Sequence, residues 1–303
     1  MLAKECLEEF RLESELRRLS KRTIKGYYNN VNLFLTYTEK QHGISQLEDI
    51  HSVHVKQYIQ YLMKKKLSAS YANRIIICIR LYFKYAIQEE YITTNPVDKV
   101  RYQKEPKVLI STFNDDEVKD LLSVFGHSSY LSIRNKLILA IAFDTGARNT
   151  EICDIRRGDI RENVILIHGK GNKERHVPVS PYLKKLMLKY ERMREYYFED
   201  KIIDYDNYLL SRTGRPLTKE ALEHIFKQAG EKAKVRKEIR CSPHTARHYY
   251  AQACLRNGLD VYTVSRLLGH ENIGITKRYL QSLEDYNIVQ MAASSSPLLN
   301  LKV

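Results

Sequence analysis

Residues 242–279 read SPHTARHYYAQACLRNGLDVYTVSRLLGHENIGITKRY and contain the most informative pattern in the chain. The opening serine and proline are typical of a helix start, because a hydroxyl can cap the first turn and proline needs no donor there. His244 and Arg247 follow three residues apart, so they share one face of that helix. A Gly-His turn and then Tyr279 come later. Arginine, histidine and tyrosine side chains together suit nucleophilic attack on a phosphodiester.

Each part of this pattern also has an ordinary explanation. A single His-x-x-Arg pair is common on protein surfaces, and the chain has 22 tyrosines. His244 and His248 have the i, i+4 spacing of a metal-binding pair. However, Thr245 stands where a His-Glu-x-x-His site has its glutamate, and no third ligand has a suitable spacing. The sequence therefore predicts no metal site, and the pattern indicates a function only if residues elsewhere in the chain complete it.

The composition indicates a globular protein with a polyanionic partner. The 303 residues are 43% hydrophobic and carry a net charge of +14, with a basic excess in both halves. The longest apolar run, residues 137–143, is too short to span a membrane. Five cysteines without Cys-x-x-Cys spacing, and no secretory pattern in the first ten residues, predict a reducing, cytoplasmic location.

The first hundred residues predict a helical bundle. One helix should begin at Ser20 and end at Gly43, a second should cover residues 54–65, and a third should begin at Ser68 or Ser70. Two of these helices have basic polar faces that could follow a DNA backbone. The predicted DNA-binding residues are Lys21, Arg22, Lys25, Arg74, Arg80 and Lys84.

Asn95-Pro96 should end the helical region, and residues 97–111 have no periodicity, which indicates a linker. We assign residues 1–100 to an N-terminal DNA-binding domain, 101–111 to the linker and 112–303 to a second domain. The final residues, 298–303, contain leucines, and we expect these apolar side chains to be buried against another surface. They could fold back or dock on a neighbouring subunit.

The second domain should begin with a helix capped by Asn114 or Asp115. Residues 137–143 are apolar on all sides, which predicts a central core helix. Arg148 follows it and opens another helix. Glu151, three residues on, can hold the arginine side chain in place through an ion pair.

A β-hairpin is predicted next, with strands at residues 164–167 and 175–179 around a glycine-rich turn. The turn contains Gly169 and Lys170 but is not a phosphate-binding loop, because the upstream glycine is absent and Gly171 replaces the serine or threonine. Helices should then cover residues 181–200 and 218–234.

Taken in order, these features resemble the tyrosine recombinase (phage integrase) family, especially its Xer-like members, over nearly the whole chain. Single motifs of this kind are weakly specific, but the ordered set is strongly so. The matching segments are Thr145-Gly-Ala-Arg148, Gly169-Lys-Gly-Asn-Lys-Glu-Arg175, His244-Thr-Ala-Arg247-His248, Leu268-Gly-His270 and Thr276-Lys-Arg-Tyr279.

The resemblance implies a mainly α fold with a small antiparallel β-sheet. It implies an N-terminal SAM-like, core-binding bundle and an α+β catalytic domain that together form a C-shaped clamp around DNA. The implied partner is double-stranded DNA with specific recombination sites. Four protomers would act together, with or without a related recombinase or accessory protein, and would exchange their C-terminal segments. No membrane association is implied.

The resemblance also implies roles for individual residues, and neither a cofactor nor a metal. Arg148 and Arg247 would clamp the phosphate with bidentate hydrogen bonds. Tyr279 would attack and become a 3′-phosphotyrosyl ester, and Glu151 would support the site. Lys170 would be the acid for the leaving 5′-oxygen, His244 the proton acceptor near the tyrosine, and His270 a phosphate ligand. Lys173 and Arg175 of the hairpin would contact DNA.

Two alternatives remain open at this stage. A type IB topoisomerase uses closely similar chemistry, and a DNA-binding protein could retain the site without using it. The sequence also leaves the biological role open among chromosome dimer resolution, integration or excision of a phage or other mobile element, and cointegrate resolution.

Overall fold

The computed structural model describes residues 1–106, 110–169, 171 and 173–280. It divides into two compact units, Met1–Lys107 and Val108–Val303. Among the helices it describes, none has the length and apolar character needed to cross a membrane. Lys170 and the predicted exchange segment, residues 298–303, lie outside the described residues.

The first unit is a bundle of four helices. Two of the predicted helix starts are confirmed, since the hydroxyls of Ser20 and Ser68 each accept a hydrogen bond from a backbone N–H of the first turn. Gly43 ends the second helix in the left-handed conformation, as predicted. The helices are α1 (Ala3–Leu16), α2 (Lys21–His42), α3 (Ser52–Lys64) and α4 (Ala69–Gln88). The sequence did not single out α1, which has no side-chain cap at its start.

The segment after α4 is partly integrated into the first unit. Val97 and Val100 are buried in its core. Arg80 donates hydrogen bonds to both of their carbonyl groups and to the hydroxyl of Tyr102. The guanidinium of Arg80 thus holds this segment against α4, and its predicted contact with DNA stays a prediction.

The second unit contains the remaining helices and one β-hairpin, as the sequence predicted. Asn114 caps its first helix, with Glu117 completing a reciprocal capping box. A 3₁₀ turn at Arg157–Asp159 precedes the hairpin. The elements are α5 (Asp115–Ser123), α6 (Tyr130–Thr145), α7 (Asn149–Asp154), β1 (Val164–His168), β2 (Glu174–Pro178), α8 (Pro181–Tyr197), α9 (Lys219–Lys232), α10 (Pro243–Arg256), α11 (Val261–Leu268) and α12 (Ile273–Leu280).

Helix α6 lies at the centre of the second unit. Residues 137–142 are all buried, which confirms the predicted core helix. It packs against α8 and α10. The hairpin is antiparallel and pairs Val164 with Pro178 and His168 with Glu174. The mainly α fold with a small antiparallel sheet is therefore as predicted. The central helix fixes the position of the loop that leads into α7.

Candidate active site

The site begins where α6 ends. Gly146 has φ +60°, and a Cβ at this position would lie 2.4 Å from Cδ1 of Tyr250. Only glycine therefore allows both this backbone conformation and the close approach of α10. The Gly146 carbonyl accepts a hydrogen bond of 2.8 Å from Nη1 of Arg247. The sharp turn after α6 thus supplies an acceptor for the arginine on α10.

Arg247 is a buried cation, with 4% of its surface exposed. Its Nη2 donates to the carbonyl of Leu268 at 2.6 Å. Burial, with a smaller contribution from Arg148, lowers its pKa to about 10, so it is still charged at pH 7. Among the described residues, no carboxylate lies within ion-pair distance of it. A buried charge that is held only by neutral carbonyl groups favours binding of an anion.

Arg148 is held by Glu151, as predicted. Its Nη1 donates to Oε1 of the carboxylate at 2.7 Å, and its backbone N–H donates to Oε2 at the same distance. Burial alone would raise the pKa of Glu151. The hydrogen bonds and charge of Arg175, followed by those of Arg148, outweigh burial and lower this pKa to about 2. Glu151 is therefore ionised at any physiological pH.

Arg175, which was predicted to contact DNA, is largely buried and is bonded to other parts of the protein. Its side chain is 11% exposed, and its guanidinium forms a bidentate ion pair with Glu151. Its Nε donates to the carbonyl of Leu267. Three of its donors are thus directed into the protein, and its predicted contact with DNA stays a prediction.

Tyr279 lies on α12 with 2% of its surface exposed, in a small apolar cluster with Tyr250 and Leu268. Its hydroxyl is 2.8 Å from Nδ1 of His248. Burial raises the pKa of Tyr279, while the charges of Arg247 and Arg148 act to lower it. The phenol is therefore protonated at pH 7 and must lose its proton in order to attack.

His248 is a functional candidate that the sequence pattern did not reveal. Burial lowers its pKa to about 4, with smaller effects from His244 and Arg247, so the ring is neutral at pH 7. The spacing of His244 and His248 was noticed only as a metal-binding alternative. The position of α12, which sequence periodicity does not reveal, decides which histidine reaches Tyr279.

The other two histidines lie in the same region. His244 is exposed, and its ring centroid is 4.1 Å from that of His248. His270 follows α11, and its Nδ1 lies 2.8 Å from the hydroxyl of Thr276. Burial and three nearby arginines lower the pKa of His270 to about 4.

The structure therefore brings most of the predicted site residues together. Within the described ranges, no three His, Cys, Asp or Glu side chains are grouped as a metal site would require. Lys173 is exposed and pairs with Glu271 at 2.7 Å. The converging residues are Arg148, Glu151, His244, Arg247, His270 and Tyr279. The other predicted DNA contacts that are exposed are Lys21, Arg22, Lys25, Arg74 and Lys84.

Comparisons with known proteins agree with this geometry. Residues 111–285 match the model of the phage integrase family, and residues 8–90 match that of the phage integrase N-terminal SAM-like domain. Tyrosine recombinase XerC of Listeria innocua is 30% identical over 278 residues, with 91% of each chain covered. XerC of Staphylococcus epidermidis is 27% identical over 265 residues, with 87% of each chain covered.

Solved structures share the fold. XerH site-specific recombinase bound to a palindromic difH substrate gives a TM-score of 0.75 at 21% identity, covering 97% of this chain and 84% of that chain. A lambda integrase dimer bound to a core site gives 0.71 at 20% identity, covering 91% and 97%. The family match spans more than half of the sequence and includes all the converging residues. The chain therefore belongs to the phage integrase family and is a tyrosine recombinase of the Xer-like type.

Proposed function

We propose that this chain cuts and rejoins DNA at specific sites through a covalent 3′-phosphotyrosyl intermediate on Tyr279. The observation that supports this proposal most directly is the environment of Arg247. It is a buried guanidinium without a carboxylate partner in the described structure, and its charge opposes the rise in the pKa of Tyr279 that burial causes. A phosphate of the DNA backbone would supply the missing negative charge.

The arginines would stabilise the charge that develops on the phosphate. Arg247 uses two of its five N–H donors on the carbonyls of Gly146 and Leu268. Three donors remain for the non-bridging oxygens. Arg148 and His270 would add further donors. Such preorganised groups, each worth about 10²- to 10³-fold in rate, act where charge appears in the transition state.

In the cleavage step, the Tyr279 oxygen bonds to phosphorus as the bond from phosphorus to the 5′-oxygen breaks. The phenol proton goes to a neighbouring acceptor, and the departing 5′-oxygen gains a proton, from Lys170 in our proposal. Attack by a 5′-hydroxyl on the phosphotyrosyl ester reverses the step and joins a strand. The ester retains the energy of the broken bond, so joining needs no nucleotide cofactor.

His248 is the proton acceptor that the geometry favours, since its Nδ1 is 2.8 Å from the phenol oxygen. With its proton on Nε2, the neutral ring can accept at Nδ1. His244, which lies against His248, would then interact with the phosphate or share the proton. Each well-placed proton transfer contributes about 10²- to 10⁴-fold to the rate.

We infer that four protomers act on two duplexes, in the cytoplasm. A lambda integrase tetramer bound to a Holliday junction has the same fold, with a TM-score of 0.70 at 20% identity. The net charge of +14 supports extensive contact with DNA. The exposed basic residues of α2 and α4, together with Lys173, are the proposed backbone contacts.

The test starts with Tyr279→Phe, which should bind its target without cutting it. We would use this variant to select duplexes from a random-sequence pool and then prepare nicked versions of the selected duplex. Wild type should form an adduct that survives heat and detergent, while Tyr279→Phe should form none. Tyr262→Phe is the matched control, because Tyr262 is 64% exposed and lies on α11, the helix that packs against α12. It should behave as wild type.

Failure of the wild type to form an adduct on the selected duplex would overturn the proposal in favour of a non-catalytic DNA-binding protein. Relaxation of a supercoiled plasmid that lacks the selected sequence would instead support a topoisomerase-like activity. Retention of the adduct by Tyr279→Phe would show that a different residue is the nucleophile.

A further inference from the structure

Three arginine side chains form hydrogen bonds with the C-terminal end of α11. Consecutive carbonyl groups at this end each accept a hydrogen bond from a different guanidinium. The bonds run from Arg175 Nε to Leu267 at 2.7 Å, from Arg247 Nη2 to Leu268 at 2.6 Å and from Arg148 Nη2 to Gly269 at 3.1 Å.

Helix geometry explains why these carbonyls are available. The last four carbonyl groups of a helix have no partner within it, and the helix dipole makes this end negative. In α11, the N–H groups of His270 and Gly269 satisfy the carbonyls of Ser265 and Arg266. The remaining carbonyls are left for side chains, so this end can hold several cations close together.

Arg175 connects this end of α11 to Glu151. Its Nη1 and Nη2 donate to the two carboxylate oxygens at 2.9 and 2.7 Å, while its Nε binds the helix end. Gly269 permits this contact, because a Cβ there would lie 3.1 Å from Cδ of Arg175. One side chain on β2 thus links the hairpin, α7 and α11.

The sharing of Glu151 between two arginines affects the charge of the site. Its Oε1 accepts from both Arg148 and Arg175. While Arg175 is present, the negative charge of the carboxylate is shared between Arg148 and Arg175. Without Arg175, the carboxylate would lose two of its bonds and would pair with Arg148 only. The positive charge available for a phosphate would then fall.

We propose that Arg175 is a positioning residue for DNA cleavage, which fixes Glu151 against the end of α11 so that Arg148 and Arg247 are preorganised for a phosphate. In this role it does not contact DNA. The inference rests on the proposed function, since it concerns the same site, and it assigns Arg175 a task that the exposed basic residues do not share.

Arg175→Gln and Arg175→Lys test this role, with the lysine variant keeping the charge and the apolar stem but losing the fork that grips Glu151. In a Tyr279→Phe background, affinity for the selected duplex should change by less than about 2-fold. With Tyr279 present, the single-turnover cleavage rate at saturating protein should fall about 100-fold in both variants, as expected for misplaced catalytic groups.

His176→Asn is the matched control, because His176 is the next residue on β2 and is exposed. It should bind and cleave as wild type. Added guanidinium ion, far below denaturing concentrations, should restore part of the rate to Arg175→Ala. A purely structural loss would not respond. Wild-type cleavage by Arg175→Lys, or loss of affinity as large as the loss of rate, would overturn the proposal.

A second measurement separates this inference from the proposed function. Inorganic phosphate should raise the melting temperature of wild type and of His176→Asn above that in chloride at equal ionic strength. Arg175→Gln should lose most of this rise. An equal rise in all three proteins, or none in wild type, would overturn the preorganised anion site, whether or not the wild type cleaves DNA.

Discussion

The phenol oxygen of Tyr279 lies 2.8 Å from Nδ1 of His248, one turn along α10 from the histidine that the sequence pattern favoured. The rings of the two histidines lie edge to face, and the position of α12 brings the hydroxyl of Tyr279 to His248. This contact makes the proton acceptor of the cleavage step testable residue by residue.

His248→Asn should reduce the single-turnover cleavage rate by about 10²- to 10⁴-fold, because it removes the acceptor of the phenol proton. In wild type, the rate should fall as the pH drops through about 4, where His248 becomes protonated and can no longer accept. In His248→Asn, the part of this fall in rate that protonation of His248 causes should be absent. A wild-type rate in His248→Asn would return the role to His244.

Thermal stability should fall as the pH is lowered from about 6.5 to about 4. Burial lowers the pKa values of His248 and His270 from 6.5 to about 4, so in this window the unfolded chain binds more protons than the folded chain. Calorimetry of wild type and of a His248→Asn/His270→Asn double variant should show a shallower decline in the variant. The thermal stability of His176→Asn should depend on pH as that of wild type does. The same pH dependence in the double variant would contradict the prediction.

Gly146→Ala should lower the free energy of unfolding by about 2 to 5 kcal/mol, because it combines a left-handed backbone with a clash against Tyr250. It should also impair cleavage, since the Gly146 carbonyl holds Arg247. Gly43→Ala is the matched control: Gly43 ends α2 with φ +68° but has open space around it. It should lose only about 1 to 2 kcal/mol and still cleave. If denaturant titrations gave the same loss of unfolding free energy for Gly146→Ala and Gly43→Ala, the predicted clash with Tyr250 would be excluded.

Lys84→Ala and Arg80→Ala should separate DNA contact from structural support on α4. Lys84 is exposed, so its loss should reduce the slope of log affinity against log salt by about 0.9 and leave stability within about 0.5 kcal/mol. Arg80 binds three groups of the following segment, so its loss should destabilise the protein by about 1 to 2 kcal/mol. If only Arg80→Ala changed the slope of log affinity against log salt, Arg80 rather than Lys84 would be the DNA contact.

Sequence reasoning predicted the elements of this fold where local signals were strong. Ser20, Gly43 and Asn114 each satisfy a helix end through their own chemistry, which depends little on distant residues. The Arg148–Glu151 pair was also accessible, because the residue that precedes a helix and the third residue of its first turn lie close together. Local sequence therefore placed the starts of α7 and α10 correctly.

Tertiary packing decided what the sequence could not. Arg80, Arg175 and Lys84 are all basic residues on regular elements, and nothing in their local sequence distinguishes a solvent-facing charge from one directed into the protein. The contact between His248 and Tyr279 joins α10 to α12, and it depends on how α11 turns between them. Such contacts depend on the relative orientation of elements rather than on their periodicity.

Helix α12 carries both Tyr279 and Thr276, the residue that orients His270 through a hydrogen bond of 2.8 Å. The two side chains lie one turn apart and are both buried. Any displacement of α12 that withdraws Tyr279 must therefore also break the hydrogen bond between Thr276 and His270. One movement of this helix would thus displace both the proposed nucleophile and the histidine proposed to bind the phosphate, so the two groups would be lost from the site together.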